Sequence, residues 1–176
     1  MPAHTARQRP APSGDVLTVG VTGHRAIPAE AFGAVRGGLA AELDGAARRC
    51  RTVEALSSLA VGADQLFAEL ALASGAVLTA VSPGADYEST FSAEELPGFH
   101  RLLHRARTHV RLDFPVVDEE AYYAAGAYIA ERSDLLLAVW DGCPARGRGG
   151  TGDIVGYARS LGKAVVVIWQ PGVARP

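Results

Sequence analysis

Residues 133–169 read SDLLLAVWDGCPARGRGGTGDIVGYARSLGKAVVVIW, and this stretch decides the fold. Leu135 to Trp140 is an apolar run with no polar alternation, as expected of a strand buried on both faces. Gly147, Gly149, Gly150 and Gly152 crowd into the loop that follows. Thr151 to Leu161 then has helical spacing, and Gly162 is placed to end the helix. Ala164 to Trp169 is a second apolar run. Strand, glycine-rich loop, helix and strand in this order predict two parallel strands joined by a covering helix.

The same alternation extends upstream. Asp15 to Val21 is a short apolar run that stops at Thr22-Gly23. Pro28 to Arg49 has helical spacing, with Phe32, Val35, Leu39 and Leu43 on one stripe. Val53 to Leu59 predicts a strand, and Asp64 to Ser74 a helix with Leu66, Phe67, Leu70 and Ala73 inward and Gly75 at its end. Ala76 to Val81 predicts the next strand, closed by Ser82-Pro83-Gly84. Ser92 and Glu95 have the spacing of a capping box. His109 to Leu112 fits a short strand, and Glu119 to Arg132 a helix. The expectation is an α/β protein: a three-layer α/β/α Rossmann-like domain with a mostly parallel sheet of about six strands. It would span residues 15–171, after a disordered leader at 1–14 and before a tail at 172–176. In such sheets ligands bind outside the carboxyl ends of the strands.

Composition narrows the function. The chain has 176 residues, 48% hydrophobic and 20% charged, an ordinary globular mixture. Its formal charge of −2 counts against a protein whose main task is coating nucleic acid. Of the 17 basic residues only Lys163 is lysine, which reads as the codon bias of a GC-rich bacterial genome and weakens any single arginine as a signal. Cys50 and Cys143 form no motif and fit a reduced, cytoplasmic protein. No apolar run approaches the about 20 residues of a membrane span. His100 and His104, near Glu94 and Glu95, lack metal-site spacing and stand among Arg101, Arg105 and Arg107, so no metal is expected.

The strand ends carry the chemistry. After the first strand come Gly23, His24 and Arg25. The glycine allows a tight turn, the imidazole can donate, accept or transfer a proton, and the guanidinium can fork onto a phosphate or carboxylate. After the second come Ser58, Gly62 and Asp64, where Asp64 is either a first-turn helix acid or a ligand for a ribose hydroxyl. After the fifth come Gly149, Gly150, Thr151, Gly152 and Asp153 before a helix N-terminus, a candidate anion cradle. The loop lacks the G-K-[ST] ending of a Walker A motif, and no G-x-G-x-x-G or G-x-S-x-G is present.

Gly23-His24-Arg25, then Leu56-Ser57-Ser58-Leu59-Ala60-Val61-Gly62-Ala63-Asp64, then Ser133 to Trp140 and Gly149-Gly150-Thr151, occur in an order that resembles the SLOG superfamily of Rossmann-like domains. Its members include the DNA-processing protein A (Smf) domain, the "lonely guy" and lysine-decarboxylase-like phosphoribohydrolases, molybdenum-cofactor carriers and bacterial conflict sensors. The resemblance covers Val16 to Trp169. It implies a nucleotide or nucleotide-derived ligand and a homodimer, with the Ala- and Tyr-rich helix from Glu119 as the surface for pairing. Ser58, Gly62 and Asp64 match the Smf-like pattern. Gly149, Gly150 and Thr151 match the hydrolase pattern in part; its proline is missing and Asp153 stands where a glutamate is expected.

The reading that follows is a sensor or carrier of a small phosphorylated, nucleotide-derived molecule, with no other cofactor required. The glycine loop would hold phosphate, Arg25 would neutralise it, and Asp64 and Asp153 would fix sugar hydroxyls. The alternative is a phosphoribohydrolase cleaving the N-glycosidic bond of a nucleoside monophosphate. Arg25 would then orient phosphate and Asp153 would stabilise positive charge on the ribose. A single-stranded DNA binder is the third reading, and the net charge counts against nucleic acid as a partner.

Overall fold

A computed structural model describes residues 14–176; apart from Gly14, the expected leader lies outside the described residues. The order of elements is β1 (Val16–Gly23), α1 (Ala29–Arg49), β2 (Thr52–Ser57), α2 (Ala63–Ala73) and β3 (Val77–Ser82). A 3₁₀ turn (Tyr87–Thr90) follows, then α3 (Leu96–Arg105), β4 (Thr108–Arg111), α4 (Glu119–Arg132), β5 (Leu135–Val139), α5 (Thr151–Ser160) and β6 (Ala164–Ile168). The six strands form one sheet in the order β4-β3-β2-β1-β5-β6. Every neighbouring pair is parallel, so the sheet is parallel throughout.

Two cores lie on the two faces of this sheet. One packs Leu135, Leu137 and Val139 with Val35 and Leu39 of α1, Phe67 of α2 and Phe99 and Leu102 of α3. The other packs Leu136 with Ala125 and Ile129 of α4 and Ile154 and Ala158 of α5. Successive leucines of β5 thus serve opposite faces, as strand geometry requires. This completes the three-layer α/β/α arrangement.

The helix ends follow their sequence signals. Gly75 has φ +85° and Gly162 has φ +71°. The next amide, Ala76 or Lys163, donates to the carbonyl five residues back, at 2.9 and 3.0 Å. This is the glycine-ended helix expected at both places. Ser92 and Glu95 bond reciprocally, Ser92 N–H to Glu95 Oε2 at 2.9 Å and Glu95 N–H to Ser92 Oγ at 3.2 Å, but they close the turn before α3, which starts at Leu96 rather than directly after Ser92.

Two inward stripes differ from expectation. In α1 the fourth seat belongs to Ala31, fully buried, while Phe32 is 45% exposed. Both residues fit the spacing to Val35, and the smaller one lets the helix lie closer to the sheet. In α2 the buried set is Ala63, Asp64, Phe67, Ala68 and Ala71, with Ala73 exposed. A buried carboxylate at Asp64 departs from the apolar pattern and marks the site.

Candidate functional site

From β1 the chain steps outward through β2, β3 and β4, then crosses back to place β5 on the other side of β1. The loops after β1 and β5 therefore diverge and leave a crevice at their carboxyl ends. A cavity of about 540 Å³ opens there. That volume is within the usual range for small-molecule sites.

Gly23, His24 and Arg25 line the cavity. Gly23 ends β1 so close to its neighbours that a Cβ would fall 2.5 Å from that of Ala63. His24 Nε2 is used within the fold, 3.2 Å from the Asp141 amide and 3.1 Å from Asp141 Oδ1. Its ring meets Trp169 edge-on at 5.3 Å. Burial holds the imidazole below its usual pKa, against the opposing pull of Asp141. Burial alone would raise the Asp141 carboxyl, but the Cys143 amide, His24 and Arg175 together hold it below the usual value. Arg25 donates to Tyr122 Oη at 3.1 Å, with its guanidinium 5.3 Å from that ring's centre.

The loop after β2 is tightly pinned. Ser57 Oγ donates to the Asp64 carbonyl and accepts from Leu59 N–H, both at 3.1 Å. Gln65 Nε2 donates to the Leu59 carbonyl at 3.0 Å. These bonds hold Leu59 fully buried at φ +58°, a left-handed conformation that costs a branched side chain energy. Gly62 lies outside the cavity lining, beneath the first loop, at φ +92°. A Cβ there would stand 2.2 Å from the Arg25 carbonyl oxygen, so glycine is required on both counts. Ala63 N–H donates to the His24 carbonyl at 3.1 Å, which ties the two loops together.

Ser58 and Asp64 line the cavity. Asp64 sits in the first turn of α2 and accepts at Oδ2 from Ala60 N–H at 3.3 Å. Burial raises its carboxyl to about pKa 7, although the Ala60 amide and Arg25 pull the other way. Near neutral pH it exists in both forms and can donate or accept a proton.

Gly149, Gly150 and Thr151 line the opposite wall; Gly152 and Asp153 do not. Gly149, at φ +83°, lies against α4, where a Cβ would meet Tyr123 N at 2.6 Å. Asp153 was expected to reach sugar hydroxyls or the reacting ribose. Its Oδ2 instead accepts from Gly149 N–H at 3.1 Å, so its charge secures the loop. Asp153 and Ile154 N–H donate to the Gly150 carbonyl, which leaves the Thr151 and Gly152 amides at the helix start without helical partners.

Other lining residues were not read from the sequence: Tyr87, Glu119, Tyr122, Arg146, Arg148 and Arg175. Tyr87 lies just beyond the end of β3, where the strand-end rule could have found it. Arg175 was assigned to the tail; its Nε lies 3.5 Å from Asp141 Oδ2 and its Nη2 donates to the Pro144 carbonyl at 2.7 Å. The α4 tyrosines expected at a dimer surface have partners within the chain. Tyr122 holds Arg25, Tyr123 lies beneath Arg148, and Tyr128 carries Arg132 at 3.5 Å from its ring centre.

No family model and no curated protein sequence matches the chain. Solved structures do. DNA processing protein A from Streptococcus pneumoniae aligns at TM-score 0.59 and 16% identity, over 86% of this chain and 50% of that one. DNA processing protein A from Helicobacter pylori, described for its single-stranded DNA binding mode, aligns at TM-score 0.59 and 16% identity, over 86% and 64%. The structural-genomics target TM1055 aligns at TM-score 0.52 and 13% identity, over 85% and 72%. The chain thus spans half to two thirds of the DNA-processing proteins it matches. What these structures share with the chain is a Rossmann-like α/β fold.

Proposed function

We propose that the crevice binds a small nucleotide-derived molecule, with its phosphate on the glycine loop and beside Arg25. The observation that carries this reading is the convergence on one cavity of Arg25, Arg146, Arg148, Arg175 and Thr151, the first residue of α5. Positive side chains and free amides at a helix start favour an anion. Asp153 serves by holding Gly149 in place. The domain acts as a sensor or carrier in the cytoplasm, as a homodimer; sedimentation would test the dimer.

The reading is tested by melting the protein with each nucleoside 5′-monophosphate. A ligand at a hundred times its Kd stabilises by about 2.7 kcal/mol. For a chain of this size that is a rise of roughly 5–10 °C. Arg25→Ala should cut the rise by more than half. If no nucleotide moves the midpoint, the proposal fails.

Two other readings have specific support. Hydrolysis of the N-glycosidic bond would use Asp64, the acid that lines the cavity, in place of Asp153. Free base released by the native protein and not by Asp64→Asn would establish it. Single-stranded DNA binding is supported by the Helicobacter pylori neighbour and by the exposed Arg146 and Arg148, which revises the expectation against nucleic acid. It predicts a gel shift that weakens steeply with salt.

A further inference from the structure

Among the described residues, two buried side-chain polar atoms lack a hydrogen-bond partner: Arg49 Nε and Tyr87 Oη. Tyr87 is 2% exposed and lines the cavity. Its ring meets the stacked Phe91–Phe99 pair edge-on, at 5.1 and 5.6 Å, which seats it in an aromatic cluster. A buried hydroxyl without a partner costs stability, and phenylalanine would fill the same aromatic seat without that cost. The arrangement is explained if the partner comes with a ligand.

Asp64 is the neighbouring group. Its carboxyl accepts from Ala60 N–H at Oδ2, and among the described residues Oδ1 has no hydrogen-bond partner. Burial above all disfavours ionisation of Tyr87; the Asp64 charge adds to this and Arg25 opposes it, so these groups share one field. Tyr122 on α4 completes the set of titratable groups that face them.

Strand order separates this pair from the anion wall. Tyr87 follows β3, Asp64 follows β2, Arg25 follows β1 and the glycine loop follows β5. Three strand spacings between β3 and β5 amount to about 14 Å. The phosphate wall and the Tyr87–Asp64 pair thus lie at opposite ends of one crevice, with Arg25 between them.

We infer that Tyr87 Oη and the Asp64 carboxyl together recognise the uncharged end of the ligand, a heterocyclic base edge that presents a hydrogen-bond donor beside an acceptor. The inference rests on the phosphate assignment above and adds what lies at the other end. A hydroxyl and a carboxyl can each give and take a hydrogen bond, which matches such an edge. Tyr87 is then a specificity-determining residue, and Asp64 reads the base rather than the ribose.

Calorimetric titration with AMP, GMP, CMP, UMP and ribose 5-phosphate tests this. At least one nucleotide should bind the native protein tenfold or more tightly than ribose 5-phosphate. Tyr87→Phe should remove at least fivefold of that advantage and leave ribose 5-phosphate within twofold of its native Kd. Asp64→Asn should show the same pattern. Tyr87→Phe without ligand should melt no lower than the native protein, which separates recognition from a structural role. An advantage that survives Tyr87→Phe overturns the inference, and so does a ribose 5-phosphate affinity that falls with either substitution. In both cases the phosphate reading stands. If neither ribose 5-phosphate nor any nucleotide binds, the phosphate reading fails and this one with it.

Discussion

Asp64 concentrates the chemistry of this molecule in one side chain. Its carboxyl is raised from 3.8 to about 7 because burial disfavours the charged form. In the unfolded chain it loses its proton near the ordinary value. Between about pH 4 and pH 7 the folded state therefore binds more protons than the unfolded state, and stability falls as pH rises through that window. Asp64→Asn removes the effect. The variant should match the native protein below pH 4 and gain on it up to pH 7, by at most about 4 kcal/mol. Urea denaturation of both proteins from pH 4 to pH 8 measures the difference; one that does not change with pH would contradict the assignment. His24 acts with the opposite sign, since burial lowers its pKa and stability falls as pH drops through the imidazole range. Sequence shows Asp64 as a first-turn acid. It does not show burial, which depends on tertiary packing.

At the scale of elements, the loops act as a braced set. Gly62 permits the second loop to pass beneath the carbonyls of His24 and Arg25. Gly62→Ala would combine an unfavourable φ with a backbone clash and should cost about 2 kcal/mol or more. It should also weaken ligand binding, because Arg25 would move. A midpoint within 1 °C of native would show that the bracing is dispensable. The elements themselves were largely legible. Apolar runs located the strands, and Gly75 and Gly162 announced helix ends that the structure contains, while the Ser92–Glu95 pair closes a turn just before α3. Signals of this kind are local, a few residues long, and survive without tertiary context. The exposed Phe32 and the inward Ala31 were not legible, because helical spacing alone admits both. Asp153 shows a related ambiguity: a carboxylate after a glycine loop can face a ligand or its own loop, and here its Oδ2 accepts from the Gly149 amide.

For the whole molecule, strand order is what assembles the site. Sequence placed glycines beyond the strand ends but left open which ends are neighbours. The order β4-β3-β2-β1-β5-β6 puts the loops after β3, β2, β1 and β5 along one edge and makes them a single crevice. It also explains why a chain with a net charge of −2 carries a basic pocket: Arg25, Arg146, Arg148 and Arg175 gather there from distant positions. Among the described residues no helix is long and apolar enough to cross a membrane. The central claim is that a phosphorylated ligand lies in the β1–β5 crevice with its phosphate at the start of α5. Electron density from crystals grown with the nucleoside 5′-monophosphate that raises the melting temperature most tests it directly. The account predicts phosphate oxygens within hydrogen-bond reach of the Thr151 amide, with Arg25 alongside. Phosphate density elsewhere, for example over Arg105 and Arg107, would contradict it.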